Sequence, residues 1–461
     1  MRALRHAFPV LLLFPLSCAN APSEENAAAA EAARLEAAQQ RLEELAATEV
    51  VQEPAGDRYE IPMEGEDEGF DQETLDARVA AIVPRVAELR GLEWRHEVPA
   101  GVHTPEQFVA FAKGAVAEEY PDGALGRMGA AFGLFGLIPR EMDIEAAMFD
   151  MLESMVGGYY DPATKTFYMI STFNSGALAD YIMAHELGHA LDDQHYPLDA
   201  YLEAAGDNSD RQWAATSVVE GSASAVGNMY LLRGIAEGWM EGEMNFGSML
   251  GMLDDIQRVP PYLIISMTLP YTIGNAFLVR ETNVMAGMLK PPTQEDLVRV
   301  FTDPPTSSEQ ILHPEKYWDA EQFDAPSEVV LADRSVELGD GWSSPYDDTL
   351  GELGCAVLVM PRVPTPVEVS AGGGTWVHEA SAGWDGDRFR LYLHDEHGAA
   401  MEWRTVWDSE QDAEEFEAAL QDVTLARAPL LRTVHRDGTT VRVVFADAGA
   451  TEAAAKLATV R

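Results

Sequence analysis

The sequence contains little cysteine and few basic residues. Only Cys18 and Cys355 occur among its 461 residues, so a disulfide framework and a zinc site built from cysteine thiolates are both excluded. Lysine and arginine number 31 against 77 aspartate and glutamate residues, and the net charge is −46 at pH 7. Because such a surface repels phosphate backbones and anionic lipid headgroups, we expect no nucleic-acid partner.

The sequence also lacks an uninterrupted apolar run long enough to cross a bilayer. The run from Phe8 to Leu16 is too short to span a membrane. The longer apolar stretch from Pro260 to Val279 is interrupted by prolines, which favours core helices over a membrane segment. Basic residues precede the Phe8 to Leu16 run and small residues follow it, a pattern typical of a secretory signal.

Cys18 lies where a bacterial lipoprotein signal has the cysteine that receives a lipid. It follows Leu16 and Ser17, although Pro15 stands where an aliphatic residue is usual. We therefore expect residues 1–18 to be a signal peptide of lipoprotein type. The chain is then exported to the cell envelope and contacts the membrane through a lipid anchor only. Cleavage and release as a periplasmic or secreted protein is the alternative.

Composition divides the rest of the chain into three parts. Residues 19–74 begin with strong helix formers rich in Ala and Glu and end in an acidic segment, which indicates a helical spacer and a flexible linker. Residues 75–324 show helical periodicity, interrupted at Tyr159 to Ile170 by the pattern of a β-hairpin. Residues 325–461 alternate strand and helix patterns as in a small α+β domain. The expected fold class is α+β.

Local signals place further elements around the hairpin. A helix is expected to begin near Ala177, directly after the hairpin. A second long helix is expected from about Asp210, because Ser209 and Gln212 have capping-box spacing. Residues Pro304 to Tyr317 are expected to form a closing loop.

The strongest chemical signal is the segment HELGH, in which His185 and His189 lie four residues apart. In a helix both imidazoles then face the same way and can bind one metal ion, with Glu186 beside it. Zinc fits this site because imidazole nitrogen is one of its preferred ligands. A catalytic zinc lowers the pKa of a water molecule and polarises a carbonyl, and Glu186 is the base that takes the proton of the water. The alternative is a helix whose two histidines are packed or exposed at the surface and bind no metal.

A catalytic zinc site needs a third protein ligand, and two residues are candidates. Glu220 lies on the expected second helix, which can deliver a carboxylate by packing against the first. His195 stands at the last position of the pattern HExxHxxGxxH, with Asp192 at its glycine position. The turn that this pattern requires has no glycine here. On an unbroken helix, six steps of about 100° point His195 well away from the face of His189.

Seven segments in the same order resemble a largely uncharacterised family of bacterial exported proteins, classed as zinc metallopeptidases of the gluzincin type. The segments are GGYYDPATKTFYMI, HELGHALDDQHY, VVEGSAS, LPYTIGNAFL, SSEQILHPEKY, LGELG and AGWDGDR. The resemblance covers roughly residues 80–445. It implies a zincin-like metallopeptidase core over residues 75–324, mainly helical with a small sheet.

Carried over to this sequence, the resemblance implies the roles of four residues. The zinc ligands are His185, His189 and Glu220. The general base is Glu186.

The resemblance also implies groups around the metal. Gluzincins commonly stabilise the oxyanion with a Tyr or His from a later segment, for which Tyr271 and His313 are the candidates. The strand before the metal-binding helix, here Phe167 to Ile170, is expected to pair with an extended peptide. Asp193, one turn after His189, is a candidate for orienting an imidazole.

The sequence thus predicts an exported, lipid-anchored zinc metallopeptidase that hydrolyses a peptide or protein substrate. An envelope binding or scaffold lipoprotein that keeps the zincin fold without catalysis is the alternative from a different class. The presence of Glu186 favours the enzyme, since a structural zinc site needs no base. A zinc hydrolase acting on a non-peptide amide is a third hypothesis.

Substitution of Cys18 tests the lipid anchor. Cys18→Ser removes the lipid acceptor, and several acyl chains hold a protein at a membrane whereas one does so only marginally. We expect the variant to move from the membrane fraction to the soluble fraction on cell fractionation. Cys355→Ala, at the other cysteine, is the control that stays at the membrane. Equal membrane retention of the Cys18 variant and the wild type would exclude the anchor.

Overall fold

The computed structural model describes residues 70–173, 176–239, 259–360, 362, 377–424 and 431–459. The expected signal peptide and nearly all of the spacer and linker lie outside these residues. The helices of the described part are α1 (Gln72–Arg90), α2 (Pro105–Glu119), α3 (Ala124–Phe135), α4 (Ile144–Met155), α5 (Ala177–His195), α6 (Leu198–Glu203), α7 (Ser209–Glu237), α8 (Pro261–Leu278), α9 (Val284–Met288), α10 (Gln294–Thr302), α11 (Ser308–Leu312), α12 (Glu315–Trp318), α13 (Ser335–Leu338), α14 (Gly351–Val359), α15 (Glu410–Thr424) and α16 (Thr451–Ala458). The strands are β1 (Ala100–His103), β2 (Gly158–Asp161), β3 (Thr166–Ile170), β4 (Ser343–Asp348), β5 (Trp384–His394), β6 (Gly398–Trp407), β7 (Leu431–Asp437) and β8 (Thr440–Ala446). The α+β class expected from the sequence is confirmed.

A three-stranded sheet with the order β1–β3–β2 lies beside the long helices. β2 and β3 pair antiparallel and form the expected hairpin. β1 pairs parallel with β3, and the sequence pattern did not reveal this short strand. Because β3 has a partner on both sides, the expected pairing of a peptide with Phe167 to Ile170 is wrong. The edge strand that packs against α5 is β2.

Helix α7 packs against α5 on one side and α8 on the other. Its contact with α8 is made through backbone, because a Cβ atom on Gly221 would lie 2.3 Å from the carbonyl carbon of Gly274. A Cβ atom on Gly274 would in turn lie 1.9 Å from the carbonyl oxygen of Ser217. At the contact with α5, a Cβ atom on Gly188 would lie 3.4 Å from the Cα atom of Ala223, an ordinary van der Waals distance. Gly221 and Gly274 therefore determine how closely α7 approaches α8.

Helix α8 corresponds to the apolar stretch from Pro260 to Val279 and is buried over most of its length. Pro261 begins the helix and Pro270 lies inside it. None of the helices in the described ranges combines the length and the apolar character needed to cross a membrane.

The start of α7 differs by one residue from the expected capping box. Asn208 is the N-cap, and its side chain accepts a hydrogen bond from the backbone of Arg211. The Ser209 hydroxyl instead donates to Asp348, at the end of β4. Gln212 donates to the carbonyl of Gly206. The hydroxyl is therefore used to join α7 to the C-terminal sheet.

The expected closing loop from Pro304 to Tyr317 is wrong in its conformation. This segment contains the short helices α11 and α12. Ser307 caps α11 by accepting a hydrogen bond from the backbone of Gln310. Pro314 is the N-cap of α12, where the missing N–H of a proline removes no hydrogen bond of the helix.

The second sheet is antiparallel and has the strand order β4–β5–β6–β8–β7. On one face, Phe135 of α3 packs edge-on against Phe389, Trp403 and Phe445, with ring centroids 5.0–5.3 Å apart. On the other face, Leu457 of α16 belongs to a separate apolar cluster. Residues on both sides of the expected domain boundary near residue 325 thus share one hydrophobic core.

Enlargement of Gly221 tests the backbone contact of α7 and α8. In Gly221→Ala the added methyl group has no space, and overpacking costs about 1–3 kcal/mol. We expect the free energy of unfolding, measured by urea titration, to fall by that amount. Gly114→Ala on α2 is the control, because no atom lies within 4 Å of the place that its added methyl group would occupy and alanine favours a helix by about 0.5–1 kcal/mol. Equal stability of Gly221→Ala and the wild type would contradict the contact.

Candidate metal centre

His185 and His189 lie on the face of α5 that contacts α7, and Glu220 on α7 faces them. The Nε2 atoms of the two histidines are 3.0 Å apart. The Glu220 Oε2 atom lies 3.2 Å from Nε2 of His185 and 3.3 Å from Nε2 of His189. His185 and Glu220 have no exposed surface, and His189 is 6% exposed. We call these three side chains the buried triad.

The spacing of the buried triad fits a zinc ion. Tetrahedral zinc with bonds of about 2.0–2.1 Å holds neighbouring ligand atoms about 3.3–3.4 Å apart, close to the three distances of the triad. One oxygen of Glu220 and Nδ1 of His185 are buried without a hydrogen-bond partner among the described residues. Two imidazole nitrogens and a carboxylate are donors that zinc prefers.

The charges of the buried triad also favour a cation. Burial lowers the pKa of His185 to about 4, so this imidazole is neutral. Burial opposes a charge on His189 as well, but the Glu220 carboxylate raises the pKa of His189 to about 9. Glu220 is stabilised as an anion in return, and its pKa is lowered despite its burial. A metal ion that binds here displaces the proton of His189.

A second cluster of acidic residues in the described part of the chain already contains a cation of the protein. Glu309, Asp324 and Asp408 lie close enough together to hold a metal ion. The ammonium group of Lys316 already lies among them, with its nitrogen 2.6, 2.9 and 3.0 Å from the three carboxylates. A cation of the protein itself therefore already lies where a metal ion would bind.

Glu186 lies on α5 beside the triad and is fully buried. Its Oε2 atom accepts a hydrogen bond of 2.7 Å from the backbone N–H of Tyr160 on strand β2. Its Oε1 atom has no hydrogen-bond partner among the described residues. Burial raises the pKa of Glu186 well above its usual value. The carboxylate is therefore held at one oxygen and unpaired at the other.

The structure separates the two candidates for the oxyanion-stabilising group. The ring of Tyr271 on α8 stacks on the imidazole of His185, with centroids 5.6 Å apart. Burial, with the nearby Glu220 carboxylate, raises the pKa of the Tyr271 hydroxyl well above its usual value, so the hydroxyl keeps its proton. His313 instead bonds through Nε2 to Glu352, 3.0 Å away. No hydrogen bond or ring contact joins His313 to the buried triad within the described part of the chain.

His195 does not lie with the triad. It is the last residue of α5, which continues unbroken past His189. Its Nε2 atom is 2.9 Å from the carbonyl oxygen of Glu93. The helix thus places His195 at a loop before β1, as six helical steps require.

The two aspartates after His189 have roles that the sequence analysis did not assign. Asp193 accepts hydrogen bonds from the Tyr160 hydroxyl and the Lys165 ammonium group, so it holds the β2–β3 hairpin. Within the described ranges no hydrogen bond joins it to an imidazole, so the expected orienting role is not seen. Asp192 accepts from Arg90 of α1 at 2.6 Å and from Ser222 of α7 at 2.5 Å.

Tyr160 is the residue of the site that sequence reasoning missed. Its backbone binds Glu186 and its hydroxyl binds Asp193, so one residue joins the sheet to α5 both within HELGH and one turn after it. The only signal in the sequence is its place in the aromatic hairpin. Its contact with Glu186 could not be predicted from the residue type, because the donor is a backbone N–H.

Two cavities adjoin the site. The smaller, about 10 Å³, is lined by Tyr160, Glu186, His189 and Leu202 among others and is close to the minimum that one water molecule needs. The larger, about 280 Å³, is mainly apolar and is lined by Tyr271 and again by Leu202. Tyr271 and Leu202 therefore lie between the buried triad and the larger apolar cavity.

Metal content distinguishes the two third-ligand candidates. Glu220→Ala removes one of three converging donors, whereas His195→Ala removes a side chain bound to a backbone carbonyl. After dialysis against a weak chelator, we expect the Glu220 variant to lose its zinc and the His195 variant to retain it at the level of the wild type. Loss of zinc from the His195 variant alone would reverse the assignment.

A family model described as a domain of unknown function (DUF8575) matches residues 334–458. This range contains α13 to α16 and the five-stranded sheet. Neither the curated proteins nor the solved structures gave a match to the chain. The family match therefore concerns the C-terminal part and does not include the buried triad.

Proposed function

We propose that the protein is a zinc metallopeptidase of the gluzincin type, with a zincin-like core formed by α5, α7 and the three-stranded sheet. The observation that supports this most strongly is the state of Glu186. One of its oxygens is held by the Tyr160 N–H, and the other is unpaired beside three converging metal donors. A carboxylate in this state can accept a proton from a water molecule bound next to it.

The number of donors supports a catalytic rather than a structural metal. Structural zinc sites are closed by four protein ligands, while catalytic sites have three and an open position. The described residues offer three donors, from His185, His189 and Glu220. When bound, zinc supplies a Lewis acid that polarises the peptide carbonyl and lowers the pKa of water.

The side chains around the triad have three further roles in the proposed mechanism. Glu186 takes the proton of the attacking water at Oε1 and returns it to the nitrogen of the leaving amine. The hydrogen bond from Tyr160 to Oε2 keeps the carboxylate from rotating away. The Tyr271 hydroxyl, held by the stacking of its ring on His185, is the donor to the oxyanion that develops on the substrate.

The large cavity indicates which substrates suit the site. Phe132, Met148, Leu263 and Met267 are among its lining residues. An apolar cavity of about 280 Å³ favours a bulky apolar side chain, because burial of that side chain contributes binding energy. The proposed substrate is a peptide or protein with such a residue next to the scissile bond. Entry requires Tyr160, Leu198 or Leu202 to move, since they enclose the small cavity at Glu186 and His189.

Export and anchoring through Cys18 belong to this proposal and rest on the sequence. The net charge of −46 supports a substrate that is not a polyanion.

A scaffold or binding lipoprotein of the cell envelope is the second candidate. The complete burial of Glu186 and the small cavity beside it favour this candidate. A metal in such a closed site stabilises the fold by binding only the folded state.

Glu186→Gln separates the two candidates. The amide keeps the volume and can still accept from Tyr160, so zinc content and melting temperature should stay close to those of the wild type. Loss of the base should lower kcat by about 10²–10⁴-fold. The assay is zinc-dependent cleavage of an unfolded protein mixture, read by mass spectrometry.

Glu145→Gln, at an exposed site on α4, is the control with wild-type activity. Zinc-dependent cleavage that is equal in Glu186→Gln and the wild type would refute the mechanism, and no cleavage by the wild type would favour the scaffold.

A further inference from the structure

Basic side chains form a row across the C-terminal sheet. Arg388 on β5 pairs in register with Arg404 on β6, and Arg404 pairs with Arg442 on β8. Arg442 pairs in turn with His435 on β7. Like charges directly opposite each other on antiparallel strands destabilise a sheet. The row is therefore unexpected in a chain with 77 acidic residues available as partners.

The basic residues at the two ends of the row are neutralised or exposed, unlike those at its centre. Arg388 is neutralised by Asp347, whose carboxylate lies 2.6 Å from its guanidinium group. His435 at the other end is exposed. The row thus has its uncompensated charge in the middle, at Arg404 and Arg442.

Arg404 and Arg442 have no ion-pair partner among the described residues. Their Nε atoms are buried and make no hydrogen bond there. Burial lowers the pKa of Arg404, and the neighbouring Arg442 lowers it further. Glu402 lies two residues away on the same strand, but its Oε1 atom accepts a hydrogen bond of 2.6 Å from Tyr392. Two guanidinium groups thus lie side by side with unused donors.

A cavity of about 210 Å³ opens over this pair. Arg404, Arg442 and His435 line it, together with the hydroxyl-bearing residues Thr433 and Thr459. The carboxylates of Glu337 and Glu402 also line it, and they lie 3.2 and 3.7 Å from the guanidinium group of Arg334. One water molecule takes up roughly 30 Å³ in the liquid, so the cavity admits an anion of several atoms. Guanidinium groups donate in pairs to the oxygens of phosphate and carboxylate groups.

We infer that this cavity is a binding site for a small phosphate-bearing anion. Two adjacent arginines match the two charges of a phosphate group, and the threonines and His435 can bond its remaining oxygens. The acidic surface repels polyanions such as nucleic acid or an anionic membrane, whereas a small ion can enter the cavity. The site lies within the part matched by the domain of unknown function and is independent of the proposed peptidase activity.

Calorimetric titration of the full chain with inorganic phosphate and, separately, with glycerol 3-phosphate tests the inference. Ionic strength is held constant with chloride. We expect saturable binding of at least one probe, and tighter binding of glycerol 3-phosphate would identify a monoester rather than free phosphate as the ligand. Arg442→Gln should weaken binding at least about tenfold, because it removes hydrogen bonds to a charged group.

The control is Arg436→Gln on β7. Arg436 points to the face opposite His435 and pairs with Glu417 and Glu414, so its loss should leave phosphate binding unchanged. Arg404→Gln is a second test variant, and thermal unfolding in phosphate-free buffer shows whether each variant is folded. Folded Arg442→Gln and Arg404→Gln proteins that bind both probes as the wild type does would overturn the inference. Absence of saturable binding by the wild type would do the same.

Discussion

A carboxylate without any exposed surface, Glu220, lies between two imidazoles, and the helical core is arranged around this buried charge. An unpaired carboxylate in an apolar interior would cost several kcal/mol. The positive charge that Glu220 induces on His189, or a metal ion in its place, offsets that cost. The backbone contact at Gly221 and Gly274 sets the depth of α7 and so places the carboxylate. The geometry of the buried triad and the packing of α5, α7 and α8 thus depend on each other.

A second layer of polar contacts holds the histidine helix in place. Asp192 joins α5 to Arg90 of α1 and to Ser222 of α7. Asp193 joins it to the β2–β3 hairpin through Tyr160 and Lys165. Because these bonds are buried or partly buried, loss of one partner would leave the other unsatisfied. The helix that carries HELGH is therefore fixed from three directions, which suits a site whose donors must keep distances near 3 Å.

The C-terminal sheet belongs to the same packed structure and has features of its own. Phe135 of α3 packs against three aromatic rings of the sheet, and Ser209 at the start of α7 bonds to Asp348 of β4. The first turn of α7, about ten residues before Glu220, is therefore anchored on this sheet. The opposite face carries the row of basic residues and its cavity. The sheet thus packs against the helical core that carries the buried triad on one face and has a separate polar cavity on the other.

The amino-acid sequence determined the features that depend on spacing within one element. His185 and His189 share a helix face because four residues make about one turn, and the aromatic runs around Asp161 make the β2–β3 hairpin. Contacts between distant segments were decided only by the tertiary structure. β1 pairs with the strand edge that was expected to bind peptide, and His313 bonds to Glu352 instead of lying with the buried triad. The donor to Glu186 is a backbone N–H, and the row at Arg404 depends on strand register. Local residue type does not show which backbone N–H will bind a side chain. It also does not show the register of strands that are far apart in the chain. Both arise from how whole elements pack.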